Sequence, residues 1–481
     1  MEAVVFRVDR TMSTLRAELR LHFPKPSSPE LGRLAATTFV SCLGSTLQVF
    51  AFTYFVYATT KNALATVMVG VAYAVAAALL AGPSGKIAQR FNPRHVCIAA
   101  ALSKAIIYGL VLAIQLSGGL NFTVIVIASA ASGATTAIMY PCWQHLVRGY
   151  SAEGTLDETN ALFSSIYAVG SVFGALAGGV LLNRLGAAPL FAFNVLSYLP
   201  VIFVLARLAP LKETGASKAK LAAASVSMKA AMTAIIGTHA VRTAVIFTAL
   251  LELLAWPLVS LLPKIAQEIG PAPQIYGALL ASFYVGASLV AVLMRRWKKE
   301  YSYGNIIRFS IGASGLAFLL AGAVGISAPG EALAIGSLAF LLAAAGLALS
   351  TAGAILSAIT QLGVPEKEEG EVLAAFALIT LIFATIGSIA EGILADSLQI
   401  WWLPLLCGAL IVIVMGIVWL RGGLQGMNGS DPISDPHRKH LARHAHSGGG
   451  GFFSHPIARS RKPLTAGTIE SGRHDGDKLS E

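Results

Sequence analysis

The chain is poor in charge: Asp, Glu, Lys and Arg make up 12% of its 481 residues, against about 25% in an average soluble domain. So few ionisable groups cannot clothe a soluble protein of this length. With 55% hydrophobic residues, disorder and a collagen-like repeat are excluded as well. Cysteine is scarce. Cys42, Cys97, Cys142 and Cys407 lie in or beside apolar stretches without metal-ligand or redox spacing. They read as small buried hydrophobes, and neither a disulfide scaffold nor a metal site is expected. A phosphate loop is missing too: five residues before Gly85, in Gly82-Pro-Ser-Gly85-Lys86, stands Leu80 instead of glycine. No enzymatic constellation or cofactor signature stands out. Nothing points to ATP as an energy source, and an ion gradient is the expected alternative.

What the sequence has is long apolar runs. A hydrocarbon core of ~30 Å needs about 20 helical residues at 1.5 Å each. Twelve such runs are expected, at about 34–58, 63–82, 96–116, 122–143, 160–182, 189–208, 242–262, 273–293, 305–325, 332–352, 372–393 and 399–420. None alternates in the manner of a membrane β-barrel. The expected fold is an all-α polytopic membrane protein.

The formal charge of +11 reads as orientation rather than as a nucleic-acid site. Of 35 Lys and Arg, 31 fall on one side of the spans or at their ends there, three (Lys61, Arg184, Lys264) fall on the other, and Lys104 lies within a span. The positive-inside rule then places both termini in the cytoplasm. The longest polar break, 209–241, is a cytoplasmic linker dividing six spans (34–208) from six (242–420). Gly174-Ala-Leu-Ala-Gly-Gly179-Val-Leu-Leu-Asn183 is echoed by Gly387-Ser-Ile-Ala-Glu-Gly392-Ile-Leu-Ala-Asp396, and Gln144 and Val147 return as Gln361 and Val364. Two pseudo-symmetric six-helix bundles follow. Residues 1–33 form an N-terminal segment whose arginines and spaced apolar residues suit an interfacial helix. The tail 421–481, with six of the ten histidines, reads as disordered and is a possible docking site for a protein partner.

Two motifs carry a family resemblance. After the second span, Gly85, Ile87, Ala88, Arg90 and Arg94 match the loop signature of the major facilitator superfamily, with Gln89 in place of its Asp and Asn92 where Gly is common. In the fifth span, Gly170, Gly174, Gly178 and Gly179 resemble the antiporter motif of exporters in that superfamily, with Ala175 in place of proline. The stretches Leu43-Gly-Ser45, Phe55-Val-Tyr-Ala-Thr-Thr-Lys-Asn-Ala63, Leu156-Asp-Glu-Thr-Asn160-Ala-Leu162 and Val364-Pro-Glu-Lys-Glu-Glu-Gly370-Glu-Val372 are similar to the branch of enterobactin exporters and macrolide efflux pumps. Glu371 stands where that branch usually has Arg. The resemblance spans about 34–420 and implies the bacterial inner membrane, a cytoplasmic latch that Gln89 weakens, and a cavity lined by spans one, four, seven and ten.

Those spans carry polar stripes at helical spacing: Ser41, Ser45 and Gln48; Ser132, Thr136, Tyr140 and Gln144; Thr248, Glu252 and Trp256; Ser350, Ser357 and Gln361. Each stripe paints one helix face. Ser45, Gln48, Thr136, Tyr140, Gln144, Thr248, Trp256, Ser357 and Gln361 are the expected substrate contacts. Glu252 lies about ten residues into its span, where a charge is costly unless it serves a cavity, a partner or a function. It is the expected proton-coupling carboxylate, and Pro257 after it can kink the helix. Lys104 is expected to snorkel, and Glu391 to lie within a turn or two of the outer surface. Together these features suggest a proton-coupled exporter of an amphiphilic small molecule, without cofactor. Import or lysolipid flipping by the same fold, or a membrane-anchored sensor or scaffold acting through 421–481, are the alternatives.

Overall fold

The computed structural model describes residues 26–152, 155–208, 228–290, 293, 302–327, 331–364 and 366–420. The expectations for residues 1–25 and 421–481 lie outside them. The described residues are almost entirely helical. The first six helices are α1 (Pro29–Thr60), α2 (Ala63–Arg90), α3 (Pro93–Leu116), α4 (Phe122–Tyr150), α5 (Leu156–Leu185) and α6 (Ala188–Arg207). Within the expected linker lies α7 (Met228–Gly237). There follow α8 (His239–Leu254), α9 (Trp256–Ser260), α10 (Leu262–Ile269), α11 (Pro273–Ser288), α12 (Tyr303–Ile326), α13 (Glu331–Leu362), α14 (Glu366–Ser397) and α15 (Trp402–Leu420).

Local chemistry sets the helix starts. Ser28, Asn62, Asn92, Asn121 and Ser302 each accept a backbone N–H from the first turn that follows, and proline stands at the head of α1 and α3, where its missing N–H costs nothing. Gly118 and Gly186, both at φ 76°, turn the chain in a conformation that suits glycine.

Among the described residues, eleven stretches are long and apolar enough to cross a membrane. The eighth expected span corresponds to α11, a helix of 16 residues. Span seven is broken at Ala255 and Leu261 into α8, α9 and α10, because Pro257 and Pro263 head the later pieces and lack a ladder N–H. The segment expected to be a loop after span two is helical: α2 runs through Pro83 to Arg90, leaving a two-residue connection to α3.

In the first half, α2 packs on α4, α1 on α5 and α6, and α3 on α4 and α6. In the second, α11 packs on α13, α12 on α13 and α15, and α8 on α13 and α14. The halves meet along two seams, α5 with α11 and α14 with α2. Lipid offers no hydrophobic drive for helix association, so close approach through small residues carries the packing. Gly170, Gly174 and Gly178 of α5 lie against Cys42, Thr46 and Phe50 of α1 in matching four-residue steps, whereas Gly179 turns to Gln274 and Gly277 of α11. Its echo, Gly392, rests on Leu64 and Val67 of α2. The repeat in the sequence is thus a repeat in the structure.

Candidate functional site

The contacts between halves gather at one end, which carries the 61–62, 117–121 and 270–272 connections and is called here the far end. There Phe50 stacks on Tyr276 with ring centroids 4.4 Å apart, and Thr53 and Tyr276 share a hydrogen bond of 3.1 Å. The Tyr54 hydroxyl donates to the Pro271 carbonyl at 2.9 Å, and Lys61 Nζ donates to Gln267 Oε1 at 2.7 Å. α10, the detached end of span seven, buries Leu262, Ile265 and Ala266 and turns Lys264 and Gln267 to polar partners.

Asp396 joins the halves most directly. A helix leaves its first N–H groups without intrahelical partners. In α2, Ala65 N–H goes to Asn62 Oδ1 (2.6 Å) and Thr66 N–H to the Asn62 carbonyl (3.3 Å). Ala63 and Leu64 donate across the seam to Asp396 Oδ1 (2.7 Å) and Oδ2 (3.1 Å). A carboxylate also suits the positive end of the helix dipole. Lys264 lies 3.7 Å from Asp396 Oδ1 and donates to the Ala395 carbonyl. The sequence held a signal for this latch, since Asp396 ends the second copy of the echo and Lys264 is one of three cations on the cation-poor side.

The expected substrate contacts divide in two. Gln48 is 4% exposed and accepts from Asn194 Nδ2 at 2.6 Å. Ser45 bonds Tyr198, Gln48 also bonds Tyr108, and the Tyr108 hydroxyl donates to Ser132 at 2.5 Å. These side chains form a polar network inside the first half, where interhelical hydrogen bonds act as glue. Lys104, one turn from Tyr108, is 9% exposed. It has no hydrogen bond or ion pair among the described residues.

The remaining contacts face less crowded surroundings. Tyr140 is 59% exposed and accepts a hydrogen bond from exposed Gln144 at 2.9 Å. Tyr73 of α2 and Tyr167 of α5 are 38% and 49% exposed. Both were missed by the sequence reading, which took its stripes from spans one, four, seven and ten. Thr136 and Thr248 are half-buried and bond to carbonyls of their own helices. Trp256, beside the break in span seven, meets Phe283 edge-on at 5.8 Å. Ser357 is half-buried on α13, and the side chain of Gln361 lies outside the described residues.

Glu252 is half-buried on α8, with no hydrogen bond or ion pair among the described residues. Leu253, its neighbour, has a carbonyl that Pro257 cannot satisfy, and Gly387 of α14 lies against it. Glu391 lies six residues before the end of α14 at Ser397, within the expected turn or two of that end, yet it is 3% exposed, because α15 brings Cys407 against it. In the loop signature, Arg94 donates to the Leu208 and Ala206 carbonyls at the end of α6, a cation at a helix C-terminus. Arg90 lies over the Phe91 ring at 5.9 Å. The side chain of Gln89 lies outside the described residues, as does the surrounding of Gly85.

Among the described residues no cluster of His, Cys, Asp and Glu could hold a metal ion. Solved structures share the fold at low identity. A nucleoside transporter aligns with TM-score 0.64 and 12% identity, covering 84% of this chain and 100% of that one. A D-xylose–proton symporter aligns at 0.61 and 14%, covering 80% and 96%. A bacterial homologue of the iron transporter ferroportin, in an inward-facing state, aligns at 0.61 and 16%, covering 81% and 98%. No curated protein sequence matches significantly. A family model described as transmembrane secretion effector matches residues 31–447, a range that takes in both halves, both seams and Glu252. The protein is therefore a membrane transporter, and it belongs to the transmembrane secretion effector family of the major facilitator superfamily.

Proposed function

We propose that the protein is a proton-coupled exporter of an amphiphilic small molecule of siderophore, drug or macrolide type, working by alternating access in the bacterial inner membrane with both termini cytoplasmic. The observation that carries the reading is Glu252. It is an intramembrane carboxyl without a partner among the described residues, on a broken helix that reaches from the interior to the closed end. Such a group is expensive in a membrane unless it serves transport. It can take up a proton without breaking any bond to the protein.

The basic bias makes the far end the outer end, so this conformation is closed outward. The inward-facing state of the ferroportin homologue agrees with that assignment. The family's description as a secretion effector favours export. Tyr73, Tyr140, Tyr167 and Trp256 offer aromatic faces with polar edges, and Gln144 adds an amide, a lining suited to a ligand both apolar and hydroxylated. Glu252 would take a proton from outside as substrate leaves and yield it inside as the next substrate binds.

The test is a deletion strain exposed to a catecholate siderophore, a macrolide and a lipophilic amine. Export predicts higher accumulation of at least one compound, reversed by the wild-type gene and not by Glu252→Gln. Unchanged accumulation of every compound, or lower accumulation, would contradict export.

A further inference from the structure

Glu391 is the most secluded carboxyl among the described residues. Its Oε1 accepts a hydrogen bond from the Cys407 thiol of α15 at 3.6 Å, and its Oε2 is buried without a partner. A thiol is a weak donor and cannot replace the water shell of a carboxylate, so an ionised Glu391 would be an uncompensated buried charge.

Among the described residues, no cation faces it from the packed elements. α15 brings Cys407 as its one titratable side chain, and α2 brings none between Lys61 and Tyr73. α8 brings Glu252, beside the Leu253 that Gly387 touches, and α13 brings Glu331 at its head, near Gly270. α7, which carries Lys229, packs against the opposite end of α14 around Val372 and Ala375. Lys264 and Asp396 are engaged with each other five residues beyond.

The position of Glu391 matters as much as its burial. The next residue, Gly392, is the point where α14 rests on α2. A Cβ there would lie 2.9 Å from Leu64 Cα. Parting of the two helices would admit water from the far end to this level of α14.

We infer that Glu391 is a second proton-binding site of the transporter. It holds a proton on Oε2, with Oε1 accepting from Cys407, while the far end is closed. It gives that proton to water, leaving a carboxylate and a hydronium ion, when α14 lifts from α2. Proton occupancy at Glu391 therefore favours closure of the far end. The inference rests on the proposed alternation of the two ends and is independent of the role of Glu252.

Infrared spectroscopy of the full-length protein in lipid nanodiscs tests it. The carboxylic C=O band should lose intensity in Glu391→Gln. It should move to higher frequency in Cys407→Ala, where the carbonyl oxygen loses its donor, and this variant serves if the Gln form does not fold. In heavy water the band should exchange about thirtyfold faster in Asp396→Ala, in line with a weakened seam. Undiminished intensity in Glu391→Gln, an unshifted band in Cys407→Ala, or wild-type exchange in Asp396→Ala would each overturn the assignment. The Glu391 band should survive in Glu252→Gln. If that variant transports normally, the proposed coupling through Glu252 fails while the assignment of Glu391 stands.

Discussion

Asp396→Ala should open the far end. In the wild type the carboxylate receives Ala63 N–H and Leu64 N–H and lies 3.7 Å from Lys264. When the seam parts, both N–H groups turn to water, so only the net value of the exchange counts. Bonds to a charged acceptor are worth about 1.5–3 kcal/mol each, and the Asp396 side chain is 25% exposed, which screens it. The pair and the cation together come to about 2 kcal/mol, or about a thirtyfold shift in the balance of end states. Asn62 still caps Ala65, so α2 should stay folded. Spin labels on cysteines introduced at exposed Thr59 and Gln399 would read the separation by pulsed electron resonance, since the four native cysteines are buried. The long-distance population should rise strongly in the variant. An unchanged distribution would refute the latch.

Gly392→Val should act in the same direction, because its side chain would press on α2 backbone that cannot yield; labelling of a cysteine placed at Thr53 from the outer side should increase, and unchanged labelling would speak against the seam. Asn194→Leu should lower thermal stability by about 1–3 kcal/mol, leaving the Gln48 amide buried without its donor. The double variant Gln48→Leu, Asn194→Leu should recover much of that loss in a melting assay, and additive losses would show that the two do not act as a pair. Deleting 421–481 should leave transport intact if the protein works as a carrier, whereas loss of the cellular phenotype with transport retained would favour a scaffold role for the tail.

The sequence spoke most clearly where the membrane constrained it. Apolar runs of about 20 residues located the spans, and the Gly179/Gly392 echo marked equivalent points on the two seams. Periodicity alone was less informative about direction. Ser45 and Gln48 share a stripe with the expected cavity face, yet they point to Tyr198 and Asn194, because spacing defines a face without saying what lies opposite. The segment after span two read as a loop, but α2 runs on through Pro83 to Arg90, as neighbouring groups in a membrane protein can satisfy the freed carbonyl. Pro257 gave fair warning of the break in span seven. Glu391 lies as near the end of α14 as its position suggested, yet it is buried because α15 brings Cys407 against it, which no local pattern records.

The most direct test of the account is uptake into inverted membrane vesicles energised by a proton gradient, using whichever compound the deletion strain retains. Wild-type vesicles should accumulate it, an uncoupler should abolish accumulation, and Glu252→Gln should still bind the compound while failing to concentrate it. Accumulation by Glu252→Gln at the wild-type level, with the same dependence on pH, would contradict the account.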